Sequence, residues 1–318
     1  MELIEAVKIN LLSPAILFFV IGMAAALLKS DLRFPEPLYV GLTIYLLAAI
    51  GFKGGVAVSN AGIGKVLIPA LAAVALGIAI PIWCYFILRK LGKFTAIDSA
   101  AIGAHYGSVS VVTFIAAVSY LKEMKQDHEM FATALLAIME SPAIVVGIIL
   151  GKLGMSARSG LKAVIKPALH EAVFGRSVFL LLGAMAAGYL SGERGAQTTA
   201  GLFVAPFQEM GMVAARRFNE LKKVGLFLIG FGVLMPLFNG ACGVVAGKLV
   251  GLSLGGGMLM GVLAASASYI AAPAAIRLSL PEANPTLYLT SALAITFPFN
   301  ITLGLPIYYE MALWWYGK

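Results

Sequence analysis

A carboxylate halfway along an apolar segment is the first residue with chemistry to offer. Glu140, in Met139-Glu140-Ser141-Pro142, is flanked on both sides by runs of Ala, Ile, Leu and Val. An ionisable group at that depth costs desolvation, so it is functional by default. A carboxylate there ligates a hard cation such as Na+, carries a proton, or accepts a structural hydrogen bond. Two further stretches combine hydroxyls with small residues: AHYGSVSVVT at 104–113 and AASASYIAAP at 264–273. Small residues let backbone leave helical geometry, and Pro273 suits the first turn of a helix that starts again. A helix starting inside a membrane presents N–H groups without partners and the positive end of its dipole. Two such starts facing each other would hold one small anion, with Ser108, Ser110, Ser266 and Ser268 completing its hydrogen bonds. The same composition also serves close helix packing. Two stretches at matching positions favour the interrupted helix.

Other polar residues in apolar surroundings narrow the chemistry. His105 reads equally as a proton carrier or as a histidine bonded to a neighbouring carbonyl. Lys53, between Gly51-Phe52 and Gly54-Gly55, either snorkels to water or acts as an anion partner or fixed cation. Asn300, after Phe297-Pro298-Phe299, reads as an oxygen ligand, while Glu209 sits at a short segment and faces the aqueous interface. Serine and threonine oxygens with unwound carbonyls also suit Na+. Cys84 and Cys242 have no metal-ligand spacing and read as small buried hydrophobes without a disulfide. HExxH, CxxC and Walker patterns are missing and the chain has 3 histidines, so neither an enzyme, a resident cofactor nor ATP-driven transport is expected.

The elements that must position these residues follow from composition. Of 318 residues, 60% are hydrophobic and 12% charged. An ordinary soluble domain is about 25% charged, so a soluble globule is excluded. Continuous apolar runs exclude a β-barrel, whose strands alternate. The class is an all-α integral membrane protein embedded in a lipid bilayer. At roughly 20 apolar residues per span, the length fits about ten spanning helices. Apolar runs place them near 11–28, 38–58, 66–88, 96–120 and 130–153, then 177–190, 201–215, 224–250, 257–280 and 287–315. Residues 1–153 form a first unit of five spans and 177–318 a second. The linker at 154–176 carries Lys162, Lys166 and His170, and Leu161, Val164, Ile165 and Leu169 give it an amphipathic helical face.

The net charge of +8 does not indicate nucleic acid, because the basic residues sit in short loops. Loops after odd-numbered spans hold fifteen of the 23 Lys and Arg. The positive-inside rule therefore puts those loops in the cytoplasm and both termini outside. The acidic start, Met1-Glu2-Leu3-Ile4-Glu5, is unlike a signal peptide. The two units also echo each other: FFVIGMA at 18–24 with FLLLGAM at 179–185, KGGVA at 53–57 with MGMVA at 210–214, and TALLAI at 133–138 with TSALAI at 290–295. The offsets are 161, 157 and 157 residues. Five spans per unit make the second unit inverted relative to the first, an architecture of many secondary transporters.

With AHYGSVS at 104–110, ESPA at 140–143, AASASYIAAP at 264–273, PEANP at 281–285 and FPFN at 297–300, the chain resembles the sodium-dependent bicarbonate transporter family over essentially its full length. The resemblance implies ten helices in a 5+5 inverted repeat with two discontinuous crossover helices. It also implies a core part moving against a gate part, and a homotrimer in the bacterial inner membrane. The implied activity is Na+-coupled bicarbonate symport, with the anion between the crossovers. It places Gly107, Ser108, Val109, Ser110, Ser268 and Tyr269 at the anion, and Glu140 and Thr113 on the cation side. There are departures. Cyanobacterial relatives have Asp at the places of Tyr269 and Glu140 and Thr at the place of Lys53, which shifts the local charge two units towards positive. That leaves open a proton-coupled carrier of another small anion, such as a monocarboxylate, using Glu140 and His105. The acidic insertion of some relatives between spans five and six is absent, which leaves a PII-like cytoplasmic regulator open.

Overall fold

A computed structural model describes residues 14–28, 36–155, 176–199 and 221–317, together with residues 7 and 11. The expected amphipathic helix of the linker, the seventh span and Glu209 lie outside the described residues. Every regular element among the described residues is helical. Helices α1 (Pro14–Leu27), α2 (Glu36–Ala61) and α3 (Ile63–Lys90) come first, then a pair, α4 (Ala96–Gly107) and α5 (Val111–Glu123). Helix α6 (Ala132–Met155) follows, and α7 (Arg176–Thr199) opens the later part of the chain. Next come α8 (Leu221–Leu249) and a second pair, α9 (Leu254–Ala265) and α10 (Ala271–Ser279). A last rod runs from α11 (Pro285–Thr290) to α12 (Leu305–Tyr316). The succession of long helix, broken pair and long helix thus occurs twice.

Five stretches among the described residues are long and apolar enough to cross a bilayer: Ile63–Lys90, Ala96–Glu123, Ala132–Gly154, Gly225–Leu249 and Pro285–Tyr316. Their burial separates centre from periphery. In the most apolar 18 residues of each stretch, 89% are buried for Ala96–Glu123 and only 33% for Ile63–Lys90. The broken helix is therefore central, and α3 turns Leu67, Ile68, Leu71, Ile78 and Phe86 outward, as a lipid-facing helix must. Helix α2 pairs closely with α7. A Cβ on Gly55 would strike the Met185 carbonyl, so only glycine permits that approach.

Hydrogen bonds at the helix starts fix the sense of the two broken pairs. Thr95 caps α4, its hydroxyl oxygen accepting from Asp98 N at 3.0 Å. Asp98 Oδ1 accepts in turn from Asn284 N, at the start of α11, at 2.8 Å. Ser253 caps α9 through Gly256 N at 3.2 Å. Glu129, just before α6, accepts from Ser253 N at 2.7 Å and from its hydroxyl at 3.0 Å. The start of α4 therefore shares an end with the exit of α10, and the start of α9 shares an end with the exit of α5. The two broken pairs run antiparallel. Ser253 also stands in Gly251-Leu252-Ser253-Leu254-Gly255, the GxSxG spacing of a hydrolase nucleophile. Its hydroxyl is a helix cap held by a carboxylate, and no strand leads into it.

The last rod departs from the α-helix twice. Residues Ser291–Thr296 and Asn300–Gly304 form wider π-helical turns. Each immediately precedes a proline-bearing α-turn, Phe297-Pro298-Phe299 and Leu305-Pro306. Proline removes a donor and crowds the carbonyl one turn back, and the wider turn relieves that crowding.

Candidate functional site

The first half-helices of both broken pairs end with nearly the same backbone geometry. Helix α4 ends at Ser108 (φ −88°, ψ 169°) and α9 at Ser266 (φ −74°, ψ 163°). Both half-helices are 12 residues long, and the two serines lie 158 residues apart. At the restart of α5 the Ser110 hydroxyl accepts from Thr113 N at 3.2 Å. At the restart of α10 the Ser268 hydroxyl accepts from Ala272 N at 3.2 Å. These two serines are also 158 residues apart. The first N–H groups of α5 and α10, those of Val111, Val112 and Ala271, have no acceptor within their own helices.

The two breaks touch. Ser268 N donates to His105 O at 2.8 Å, and the Ser110 hydroxyl donates to the Tyr269 hydroxyl at 3.3 Å. Thr113 adds its own hydroxyl to Ser110 Oγ at 2.8 Å. The Tyr269 ring packs edge-on against Phe297 at 5.4 Å. Gly107, Ser108, Val109, Ser110, Thr113, Ser266, Ser268 and Tyr269 are all buried. Of the residues expected at the anion, the structure joins Ser110 to Tyr269 across the breaks, and Ser268 to His105. Ser266 is turned aside, donating to Val262 O at 2.6 Å.

Glu140 reaches the same level through a packing ladder between α4 and α6. A Cβ on Gly154 would meet Ala96, one on Gly151 Ala100, one on Gly147 Ala104, and a Cβ on Gly107 meets Ala143 at 2.9 Å. Glu140 is the next turn of α6 after Ala143, which sets it opposite the break itself. It is 2% exposed, and its Oε2 has no hydrogen-bond partner among the described residues. Ser108 Oγ and His105 Nε2, both fully buried, are in the same condition. Buried polar groups are nearly always bonded, and the other such atoms among the described residues are Ser99 Oγ, Tyr120 Oη, Asn239 Nδ2 and Tyr316 Oη.

His105 realises one of its two expected readings without closing the other. Its Nδ1 donates to Ala101 O at 2.7 Å, because a carbonyl only accepts, and the ring stacks on Tyr288 at 4.5 Å. If neutral, Nε2 then keeps a lone pair able to take a proton. Asn300 has two protein partners: its amide donates to Ala265 O at 2.9 Å, and its Oδ1 accepts from Tyr308 at 2.7 Å. Lys53 stands apart from the cluster, exposed on α2, where neighbouring Gly54 packs against Ala134. Cys84 is buried, Cys242 is half-buried, and both are free thiols.

Residues that sequence reasoning missed tie the cluster to the last rod. Thr296 donates its hydroxyl to Gly232 O at 2.8 Å, so the 2.7 Å contact with Tyr106 has Tyr106 as donor. Tyr106 thereby fastens the last turn of α4, as Asn300 fastens that of α9. The sequence signals nearby were AHYGSVS, which contains Tyr106, and FPFN, which follows Thr296.

The model for the Na+-dependent bicarbonate transporter superfamily matches residues 14–313. No curated protein matches the chain.

Proposed function

Because the chain belongs to the Na+-dependent bicarbonate transporter superfamily, and is thereby a multi-pass membrane transporter and not an enzyme, we propose that it carries bicarbonate across the membrane by symport with Na+. The observation that carries this reading is the meeting of the two breaks, through Ser268 N on His105 O and Ser110 on Tyr269. Two helix starts converge there in dry surroundings, and backbone N–H groups with aligned dipoles suit a small anion. Ser110, Ser268 and the backbone at 107–109 supply the anion side. Glu140, Ser108 and the carbonyl end of α4 supply oxygen for a hard cation, as half-helix ends do in other carriers. Each ion offsets the desolvation of the other, so binding of one favours the other, and the effect is reciprocal.

The repeated order of helices, with antiparallel broken pairs, supports a 5+5 inverted repeat of ten spans. With both termini outside, the ends of the molecule exchange roles between the two states of the carrier. The assembly we propose is a homotrimer in the bacterial inner membrane, with a PII-like cytoplasmic regulator as a further candidate partner. A second reading, proton-coupled transport of a small anion such as a monocarboxylate, is favoured by the unpartnered His105 Nε2 and Glu140 Oε2.

Purified protein in liposomes decides between them. Labelled bicarbonate should accumulate under an inward Na+ gradient and not under a pH gradient alone. Accumulation that ignores Na+ and follows pH, with acetate or lactate competing, would put the second reading in first place.

A further inference from the structure

The two breaks share the backbone geometry at which their first half-helices end and differ in what their polar groups already hold. At the end of α9, Val262 O accepts from the Ser266 hydroxyl at 2.6 Å and Leu263 O from Ser266 N at 3.3 Å. Ala265 O accepts from the Asn300 amide at 2.9 Å. Asn300 is itself locked by the Tyr308 hydroxyl at 2.7 Å, and both residues are buried. The carbonyl end of a helix is where positive charge is favoured. Here the partial positive charge of an amide NH2 already lies against it.

At the end of α4, Ala104 O likewise accepts from Ser108 N at 3.2 Å and His105 O from Ser268 N at 2.8 Å, and the difference lies in the side chains. Ser108 Oγ is 0% exposed and Glu140 Oε2 belongs to a residue 2% exposed, and neither atom has a partner among the described residues. No amide or ammonium is bonded to either. A carboxylate only accepts, and a hydroxyl oxygen has lone pairs to offer. Unwound carbonyls, a hydroxyl and a carboxylate are a donor set for a hard monovalent cation.

We infer that the carrier takes one cation per anion, at the α4 break alone, because Asn300, positioned by Tyr308, fills the corresponding place at the α9 break. The inference rests on the cation-coupled anion transport proposed above and adds its stoichiometry. One monovalent cation moving with one monovalent anion carries no net charge. Transport is therefore electroneutral. A carrier using both breaks would take two cations and move one net positive charge.

The test uses the full chain in liposomes, with labelled bicarbonate, a fixed Na+ gradient and a membrane potential set by K+ and valinomycin. The expected accumulation ratio rises about tenfold for each tenfold Na+ gradient and is unmoved by the potential. A ratio that rises about a hundredfold per tenfold Na+ gradient, and follows a tenfold K+ gradient about tenfold, would overturn the inference while leaving Na+ coupling intact. Absence of any cation coupling would sink the proposed function and this inference together. The variant Asn300→Asp places a carboxylate at the α9 break. It should make uptake follow the potential, a change that a merely structural asparagine would not produce. Folded Asn300→Asp protein whose uptake stays independent of potential would contradict the role given to Asn300. If that variant does not fold, the wild-type ratio alone decides.

Discussion

Ser110 and Ser268 each hold the first turn of a restarted helix through the hydroxyl oxygen. At Ser110, the cap of α5, aspartate serves as well as serine does. At Ser268, two residues before the α10 cap, it keeps an oxygen for Ala272 N, so Ser110→Asp and Ser268→Asp should both fold. What each adds is a negative charge at the proposed anion site. Like charges at about 4 Å repel by about 4 kcal/mol at an effective dielectric near 20, so labelled bicarbonate uptake should fall by at least roughly a hundredfold. Wild-type uptake by either folded variant would remove that serine from the site. These serines were legible as candidates because two such stretches stand at matching positions of the chain, where one alone would equally serve helix packing. Asn300 was legible as an important polar residue but not in its partners. Residues eight apart lie about 12 Å along a straight α-helix, and the wider turn between Asn300 and Tyr308 alters that path. No pattern of apolar residues reports a π-turn.

At the scale of elements, the register of α4 on α6 decides what the first break can do. Glycine and alanine alternate across that seam, and a Cβ on Gly107 would stand 2.5 Å from the Pro81 ring and 2.9 Å from Ala143. Gly107→Val should force α4 away from α3 and α6 and carry the break away from Glu140. Overpacking of this kind costs about 1–3 kcal/mol, read as a lower melting temperature in detergent together with lost uptake. Gly183→Ala is the control, since a Cβ there meets nothing within 4 Å. Equal damage from both variants would show that the seam has no special role. The interruptions at 108–110 and 266–270 fell inside the stretches that hydroxyls and small residues marked. The ninth span begins at Leu254, earlier than its apolar run suggested, because Ser253 caps it across three glycines of low helix propensity. Pro298 and Pro306 each follow a departure of the last rod from α-geometry, which the apolar pattern did not foretell.

For the whole molecule, the loop at 92–95 lies at the same end as residues 282–284, and the loop at 124–129 at the other end, with residues 250–253. The orientation proposed from charge placement puts the first end in the cytoplasm. Single cysteines at Lys93 and Glu282, in a background with Cys84 and Cys242 replaced, should react with an impermeant maleimide only from inside. A cysteine at Lys125 should react only from outside. Labelling of all three from one side would break the antiparallel arrangement, and the reverse pattern would invert the orientation alone. Composition and apolar runs were enough to read the membrane class and the broken pairs, because lipid leaves helices few alternatives. Which residues face each other across the breaks was not readable, because that depends on the crossing of two helices 158 residues apart. The account as a whole turns on coupling through Glu140. Glu140→Gln preserves shape and one carbonyl oxygen, and removes the charge. Losing one partner of a buried charge pair costs about 3–5 kcal/mol. The decisive measurement is labelled bicarbonate accumulation in liposomes under an inward Na+ gradient, wild type against Glu140→Gln. The account predicts Na+-driven accumulation by the wild type and its loss in the folded variant, and undiminished accumulation by Glu140→Gln would contradict it.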